Sequence, residues 1–260
     1  MSTVLQWKEW LVASNRAAGT IALRCAHVRR ALDAIGRDLS DITVDDVAHY
    51  LASQPWAPAT RRSYRASLSA FFAYAHARGL ATFDGADLPA APTPRSVPRP
   101  ASDQMIRTAL ADADERATLM VELMAYGGLR RCEVATVKGA DVTGQWLHVT
   151  GKGGHTRMVP LPRHLAARLR RVPGWVFPGA IDGHLSARRV GEIVGALLPD
   201  GVTAHALRHR YATRVYQRSG DIRAVQTLLG HAKLDTTMIY VAVQDDMKMA
   251  AASTAWDMTA

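Results

Sequence analysis

Two histidines, an arginine and a tyrosine fall close together near the C-terminal end of the sequence. His205 and Arg208 are three residues apart, so they share one face of any helix that contains them. His231 follows, and Tyr240 comes nine residues after it. Arginine offers a bidentate fork to two phosphate oxygens, and a tyrosine phenol attacks phosphorus once its proton is removed. These residue types therefore predict a phosphate-binding site with a tyrosine nucleophile.

Two helices must hold these side chains together. Thr203 favours an N-cap, and the absence of Gly and Pro after it predicts a helix from about Ala204 to Ser219. A second, short helix is predicted from Asp221 to Leu229, and Gly230 is the usual residue for its left-handed cap. The chain reversal at that glycine can return the histidine that follows it towards the first helix.

Two other interpretations of the histidines stay open. His205 and His209 are four residues apart, as in the zinc motif H-E-x-x-H, but Ala206 stands where that motif needs its Glu. No Asp or Glu follows at a suitable spacing for a third ligand. The histidines can also belong to an ordinary core helix. The ordered set of four residues favours the phosphate site over both.

Five motif blocks between about Ser102 and Tyr240 resemble one known family. The ordered set H-A-L-R-H, L-L-G-H and Y resembles the C-terminal signature of the tyrosine recombinases, the phage integrase family. Upstream, G-G-L-R-R-C-E-V resembles the family's T-G-L-R-x-x-E-L segment, with Gly127 in place of the usual Thr. The segment G-K-G-G-H-T-R-M-V-P-L resembles the family's G-K-G-x-K-x-R-x-V-P-L hairpin, with His155 in place of the usual Lys or Arg. The G-W-V-F-P run at Gly174–Pro178 resembles a short segment that precedes the family's next helix.

The arginine of the G-G-L-R-R-C-E-V segment, Arg130, can be placed by local structure as well as by resemblance. A glycine pair ends one helix and Leu129 begins another, so Arg130 is predicted in a first turn, where unsatisfied N–H groups favour an anion. The resemblance matches Arg130 to the first catalytic arginine and Glu133 to an acidic neighbour that braces the site. Arg131 is the weaker candidate, because the family places its arginine directly after Gly-Leu.

Strand-forming residues on both sides of Gly151–Gly154 predict a β-hairpin with Lys152 at its tip. Taken alone, Lys152 can be a solvated turn lysine, and the phosphate-loop framework G-x-x-x-x-G-K-[ST] is absent. The resemblance implies instead that Lys152 protonates the leaving 5′ oxygen.

The resemblance implies a complete reaction, site-specific strand exchange between DNA molecules. Tyr240 attacks the scissile phosphate and forms a 3′-phosphotyrosine with a free 5′ hydroxyl. Arg130 and Arg208 hold the non-bridging oxygens, while His205 and His231 donate further hydrogen bonds or help to move the tyrosine proton. Because the phosphotyrosine ester keeps the energy of the broken bond, no ATP, metal or other cofactor is implied.

The chain is expected to divide at a Pro-rich basic linker, residues 89–100. Residues 1–88 read as four helices, and the resemblance implies a helical core-binding DNA clamp there. Residues 101–260 correspond to the catalytic domain, with a C-terminal tail from about residue 241. The expected fold class is therefore mainly α with a small antiparallel β-sheet (α+β).

The formal net charge of +9 favours a polyanionic partner, of which nucleic acid is the commonest. Dense arginines open the helix predicted from about Pro58 to Arg78, with a hydroxyl and an aromatic ring among them, and two more arginines lie in the linker. Such side chains contact phosphates or base edges, although a solvated arginine face stays open as an alternative. The candidate DNA-binding residues are Arg61, Arg62, Tyr64, Arg65, Arg95 and Arg99.

The sequence favours a cytoplasmic protein that does not enter a membrane. Cys25 and Cys132 are isolated from each other, and no stretch approaches the roughly 18 apolar residues of a membrane helix. The resemblance implies that the partners are double-stranded DNA recombination sites and further copies of the chain. A tetramer would form on synapsed DNA, and an accessory directionality factor fits the same scheme. Residues 241–260 would dock on a neighbouring protomer, and packing of this segment against its own chain stays open as the alternative.

Integration or excision of a phage or mobile element is the favoured role. An Xer-like chromosome-dimer resolvase, a topoisomerase that relaxes DNA as a monomer and a non-catalytic DNA-binding regulator stay open as alternatives. The sequence begins almost directly with the expected clamp. The additional arm-binding domain of lambda-type integrases is therefore expected to be missing.

Overall fold

The computed structural model describes residues 2–91, 99–151 and 154–230 of the chain. The chain forms two compact units, Met1–Ser96 and Val97–Ala260, and the division falls within the Pro-rich segment 89–100. In the three described ranges, no helix is both long and apolar enough to cross a membrane.

Within residues 2–91, the first unit contains four α-helices, α1 (Ser2–Ala13), α2 (Ala18–Ile35), α3 (Val44–Ser53) and α4 (Pro58–His76), and one 3-10 helix (Gly85–Asp87). A capping box begins α3, because the Thr43 hydroxyl accepts a hydrogen bond from the Asp46 backbone N–H and the Asp46 carboxylate accepts one from the Thr43 backbone N–H. Proline occupies the first position of α4, where its missing N–H removes no helical hydrogen bond. Aromatic rings fill the core of this unit, with Trp7 and Phe71 in edge contact at 5.3 Å between ring centroids.

The second unit is helical around one small sheet. Its helices in chain order are α5 (Asp103–Asp112), α6 (Glu115–Tyr126), α7 (Arg131–Ala135), α8 (Arg163–Arg170), α9 (Ala187–Ala196), α10 (His205–Ser219) and α11 (Ile222–Leu229). Its strands are β1 (Val142–Thr143), β2 (Trp146–Thr150), β3 (Thr156–Pro160) and β4 (Pro178–Ile181), of which β1, β2 and β3 form an antiparallel sheet in that order. The predicted fold class, mainly α with a small antiparallel sheet, is confirmed.

The β2–β3 pair is the predicted hairpin. Leu147 and Val159 are direct partners and lie on the buried face of the sheet, whereas Trp146, His148 and Thr150 alternate towards solvent. The pairing ends at Thr150 and Thr156, and Lys152, which was predicted at the hairpin tip, lies outside the described residues.

The helices of the second unit pack so that its glycine-rich turns meet. Helix α10 packs against α6 and α11, α9 packs against α7, and α11 contacts β3. Helix α6 is buried along almost its whole length. The turn after α6, the start of α10, the end of α11 and the base of the hairpin therefore lie within contact distance of one another.

Candidate active site

The turn between α6 and α7 sets the position of Arg130. Gly128 adopts a left-handed conformation with φ of 64°, and a methyl group on it would lie 2.4 Å from the Tyr211 ring, so a side chain does not fit. Helix α7 begins at Arg131 rather than at Leu129 as predicted. Arg130 is the N-cap residue, and its backbone N–H donates to the Glu133 carboxylate at 2.8 Å. The predicted first-turn position is thus corrected by one residue, and its N–H already has a protein partner.

Glu133 is the centre of the site. Its side chain is 1% exposed and accepts hydrogen bonds from Nη1 of Arg130 at 2.7 Å and from Nη1 and Nη2 of Arg157 at 2.9 and 2.8 Å. Nη1 of Arg208 lies 3.8 Å from the same carboxylate. One buried negative charge therefore holds three guanidinium groups, and the four side chains together keep an excess of two positive charges, three minus one.

The charge state of Glu133 follows from these contacts. Burial alone would raise its pKa. The Arg157 side chain, the Arg130 backbone and the positive charge of Arg157 outweigh burial and lower the pKa to about 2. The carboxylate is consequently ionised at neutral pH and acts as a permanent counter-ion.

Arg208 projects from α10 into the core of the unit and is fully buried. Its guanidinium donates to the carbonyl oxygen of Gly128 and, at 2.7 Å, to that of Leu229. It therefore joins the α6–α7 turn to the C-terminal end of α11. Helix α10 begins at His205 with Ala204 as its N-cap residue, so the prediction that Thr203 caps it is wrong.

Arg157 is a site residue that the sequence reasoning missed. It extends from β3, and besides its two bonds to Glu133 it donates from Nε to the Leu228 carbonyl at 2.8 Å. Gly230 closes α11 with φ of 64°, and a methyl group there would lie 3.0 Å from Cδ of Arg157. The hairpin segment G-K-G-G-H-T-R-M-V-P-L contains this arginine, so the motif match could have identified Arg157 as a site residue.

His205 and His209 form an edge-to-face pair on α10 with their ring centroids 4.4 Å apart. His205 is exposed as a whole residue. Desolvation by the protein atoms around its ring nevertheless lowers its pKa, and the positive charges of nearby arginines lower it further. Burial, then the neighbouring His205, lowers the pKa of His209 to about 4. Both rings are therefore neutral at pH 7. In the described ranges, no group of three or more His, Cys, Asp or Glu side chains is placed to hold a metal ion.

The structure thus brings four predicted site residues together, namely Arg130, Glu133, His205 and Arg208. Lys152, His231 and Tyr240 lie outside the described residues. Gly230, which immediately precedes His231 in sequence, contacts the site directly, since Nη2 of Arg130 donates to its carbonyl oxygen at 3.4 Å. The last described residue before the C-terminal segment is therefore part of the arginine cluster.

Comparison with known proteins places this site in a family. The family model described as "Phage integrase family" matches residues 101–247, which contain the whole arginine cluster. The chain belongs to the phage integrase family. Its members are tyrosine recombinases, and the helical fold with a small antiparallel sheet described above is theirs.

Three similar proteins can be compared with this chain. The tyrosine recombinase XerC of Mesorhizobium japonicum is 37% identical over 237 residues, which cover 79% of this chain and 76% of the relative. The integrase of mycobacterium phage Brujita is 30% identical, with a TM-score of 0.50, over 94% of this chain and 89% of the other. A lambda integrase dimer bound to a COC' core site is 21% identical, with a TM-score of 0.73 over 92% and 76% of the two chains, and supports the fold alone.

One candidate DNA-binding residue of the first unit is corrected by the structure. Tyr64 is 5% exposed, and its ring is stacked between His27 and Trp56 at centroid distances of 3.7 and 3.8 Å. Its hydroxyl accepts a hydrogen bond from Arg30 at 3.0 Å. Tyr64 therefore stabilises the packing of α4 from inside the unit and does not present its ring to DNA.

The arginines around Tyr64 differ in their partners. Arg65 donates to the carbonyl oxygens of Leu88 and Pro89, each at 2.8 Å, and connects this segment to α4. Nη2 of Arg61 donates to the Gln54 carbonyl at 3.1 Å. Arg62 is exposed and has no hydrogen bond or ion pair among the described residues. Arg99 is also exposed, and Arg95 lies outside the described residues.

Proposed function

We propose that this protein catalyses site-specific DNA strand exchange through a covalent bond between Tyr240 and a 3′ phosphate. The observation that carries the proposal is the buried Glu133 carboxylate with three arginines around it, beside a neutral His205. Such a cluster is already assembled before DNA arrives, so little reorganisation is needed when negative charge develops on phosphorus.

In the proposed reaction the arginines stabilise the transition state. Arg130 and Arg208 would hold the two non-bridging oxygens of the scissile phosphate. The excess positive charge of the cluster, which Glu133 neutralises only in part, would stabilise the pentacoordinate transition state. Glu133 and Arg157 would act by keeping the guanidiniums in place.

The proposed proton transfers involve the remaining candidates. The phenol oxygen of Tyr240 attacks phosphorus, and its proton passes to His205 or His231. A lowered pKa keeps His205 neutral at pH 7 and able to accept a proton. The bond to the 5′ oxygen breaks, and Lys152 protonates that oxygen. Attack by a 5′ hydroxyl on the phosphotyrosine reverses these steps and joins a new strand, so neither ATP nor a metal is needed.

The biological role that we propose is integration or excision of a phage or mobile element, in the cytoplasm of a bacterium or an infected host cell. The partners would be double-stranded DNA recombination sites, further copies of the chain in a tetramer on synapsed DNA, and an accessory directionality factor. Membership of the phage integrase family and the net charge of +9 support the DNA partner. Relatives named XerC favour a second candidate, an Xer-like chromosome-dimer resolvase.

Replacement of Tyr240 by Phe tests the covalent step. A binding site is first recovered by repeated selection of random duplexes on the wild-type protein, and nicked duplexes of that sequence then serve as suicide substrates. The wild-type protein should become attached to DNA through a 3′ link in the presence of EDTA. Tyr240→Phe removes one oxygen atom, so it should bind the same duplex and never become attached.

Attachment of the Phe variant, or cleavage that EDTA abolishes, would overturn the proposal. Relaxation of supercoiled plasmid by protein that never joins two sites would identify a topoisomerase instead. A protein that binds its selected site and never cleaves it would be a DNA-binding regulator.

A further inference from the structure

A cleft of about 420 Å³ lies next to His205 in the second unit. One wall is Gly191 of α9, another is the segment 202–204 that precedes α10, and Arg131 lines the cleft as well. The cleft is thus bordered by a candidate catalytic histidine and by a cation that does not belong to the Glu133 cluster. No part of the reaction described above uses it.

Arg131 differs from its neighbour Arg130 in its partners. Glu133 binds Arg130, whereas Arg131 is exposed and makes no ion pair or hydrogen bond with any residue in the described ranges. Its positive charge nevertheless reaches the site, because it is among the charges that lower the pKa of His205. Two consecutive arginines therefore act on the same histidine from separate positions.

Gly191 explains how the Arg131 side chain is seated. A methyl group on Gly191 would lie 2.6 Å from Nη1 and 3.0 Å from Cδ of Arg131, so the arginine lies directly against the α9 backbone. Glycine is unfavourable inside a helix, and Gly191 stands in the middle of α9. The close approach of Arg131 supplies a physical reason for glycine at this position.

We propose that Arg131 binds a backbone phosphate next to the scissile phosphate, and that Gly191 is a positioning residue that seats its guanidinium. A guanidinium with no partner in the described ranges, lying along a cleft beside the reacting centre, can donate two hydrogen bonds to a phosphate. This inference rests on the proposed function, since it assumes that DNA occupies the site. It adds a contact that orients the strand and does not take part in bond breaking.

The test uses the selected duplex and the variants Arg131→Ala, Gly191→Ala and the double variant. Arg131→Ala should weaken binding about tenfold, as expected for one charge-assisted contact. It should also reduce the slope of log K against log salt by about one. Duplexes in which single phosphates near the cleavage position are replaced by neutral methylphosphonate identify the partner. At one position the methylphosphonate should weaken DNA binding by the wild-type protein by a similar factor and leave DNA binding by Arg131→Ala unchanged.

Gly191→Ala displaces the guanidinium and keeps its charge, so it should weaken binding by less than Arg131→Ala. In the Arg131→Ala background it should have no further effect. Arg163→Ala, which removes an exposed arginine from α8, is the control for net charge and should leave binding and slope close to wild type.

The inference is overturned if Arg131→Ala binds DNA with the same affinity and salt slope as Arg163→Ala. It is also overturned if every methylphosphonate substitution weakens DNA binding by Arg131→Ala as much as it weakens binding by the wild type. A further loss caused by Gly191→Ala in the Arg131→Ala background would also overturn it, since glycine would then act independently. The Tyr240→Phe experiment separates this result from the proposed function. Wild-type protein that never attaches to DNA refutes strand exchange, whereas the phosphate contact is judged from binding alone.

Discussion

The single residue that decides the geometry of the site is Glu133. Its two oxygens accept from the backbone and side chain of Arg130 and from both terminal nitrogens of Arg157. These partners come from α7 and β3, and Arg208 adds α10. One carboxylate thus connects the start of α7 and β3 by charge-assisted hydrogen bonds, which are stronger than neutral ones, and attracts the Arg208 guanidinium of α10 by charge at 3.8 Å.

Glu133→Gln should destabilise the protein in a pH-dependent way. The folded pKa of about 2 lies below the ordinary value of 4.5, so ionised Glu133 contributes stability that is fully present above about pH 4.5 and is lost as the pH falls towards 2. Loss of the charge should lower the free energy of unfolding by about 3 kcal/mol at pH 7. The difference between variant and wild type should shrink between pH 4.5 and pH 2, measured by urea unfolding at several pH values.

Glu115→Gln is the matched control, because Glu115 is also in the second unit but has an exposed side chain. Its unfolding free energy should follow that of the wild type at every pH. A Glu133→Gln deficit that stays constant down to pH 2 would contradict the assignment of the stability to ionised Glu133.

At the scale of elements, the turn between α6 and α7 is constrained from two sides. Gly128 has a positive φ, and the Tyr211 ring of α10 occupies the space where a side chain would begin. The carbonyl of the same glycine accepts a hydrogen bond from Arg208. A shift of this turn would therefore move both Arg130 and an acceptor of Arg208.

Gly128→Ala should lower the free energy of unfolding by about 3 kcal/mol, from the left-handed backbone and the clash with Tyr211 together. Gly144→Ala provides a comparison, because Gly144 has a similar φ of 62° but no atom within 4 Å of the added methyl group. It should cost only about 1 kcal/mol. Equal losses for the two variants in urea unfolding would show that the ring contact contributes nothing.

Local signals predict most of the elements around the site. Glycines with positive φ end α10 and α11 where the sequence predicts, because Gly220 and Gly230 adopt a conformation that other residues avoid. The start of α7 is displaced because the Glu133 carboxylate captures the Arg130 backbone, a contact that spacing alone does not reveal. Helix α8 was not predicted, since only a short set of apolar residues marks its buried face.

Contacts between distant parts of the chain are what the sequence leaves open. The pairing of Arg157 with Glu133 joins a strand to a helix, and nothing in the periodicity of β3 selects that partner. The same applies to Tyr64, whose burial depends on rings from α2 and from the segment before α4. The helix pattern gives Tyr64 a position along α4, but the neighbours that cover it come from elsewhere.

At the scale of the whole molecule, the net charge is +9, but the individual arginines differ in how freely they can bind a polyanion. Arg65 and Arg61 already donate to backbone carbonyls, whereas Arg62 has no partner among the described residues. A guanidinium engaged with the protein stabilises the fold, while one without a partner can release counterions from DNA. Arginines close in sequence are therefore expected to differ in role, with Arg61 and Arg65 contributing to protein stability and Arg62 to DNA binding.

Arg62→Ala should weaken binding to duplex DNA several-fold and reduce the salt slope by about one, with an unchanged melting temperature. Arg65→Ala should lower the stability of the first unit by about 1 kcal/mol, because two carbonyls lose a charged donor. Binding titrations at several salt concentrations and thermal unfolding of both variants separate the two effects. Identical salt slopes for Arg62→Ala and wild-type protein would remove Arg62 from the DNA interface.

The sharing of Glu133 among Arg130, Arg157 and Arg208 also restricts how this active site can evolve. A substitution at any one of the four changes the electrostatic surroundings of the other three, so its effect depends on which of them is already altered. Loss of the carboxylate first would leave three mutually repelling cations, whereas loss of one arginine first would leave the remaining two neutralised in larger part. Lineages that abandon catalysis are therefore expected to lose one of the three arginines before they lose Glu133, because that order avoids three uncompensated positive charges.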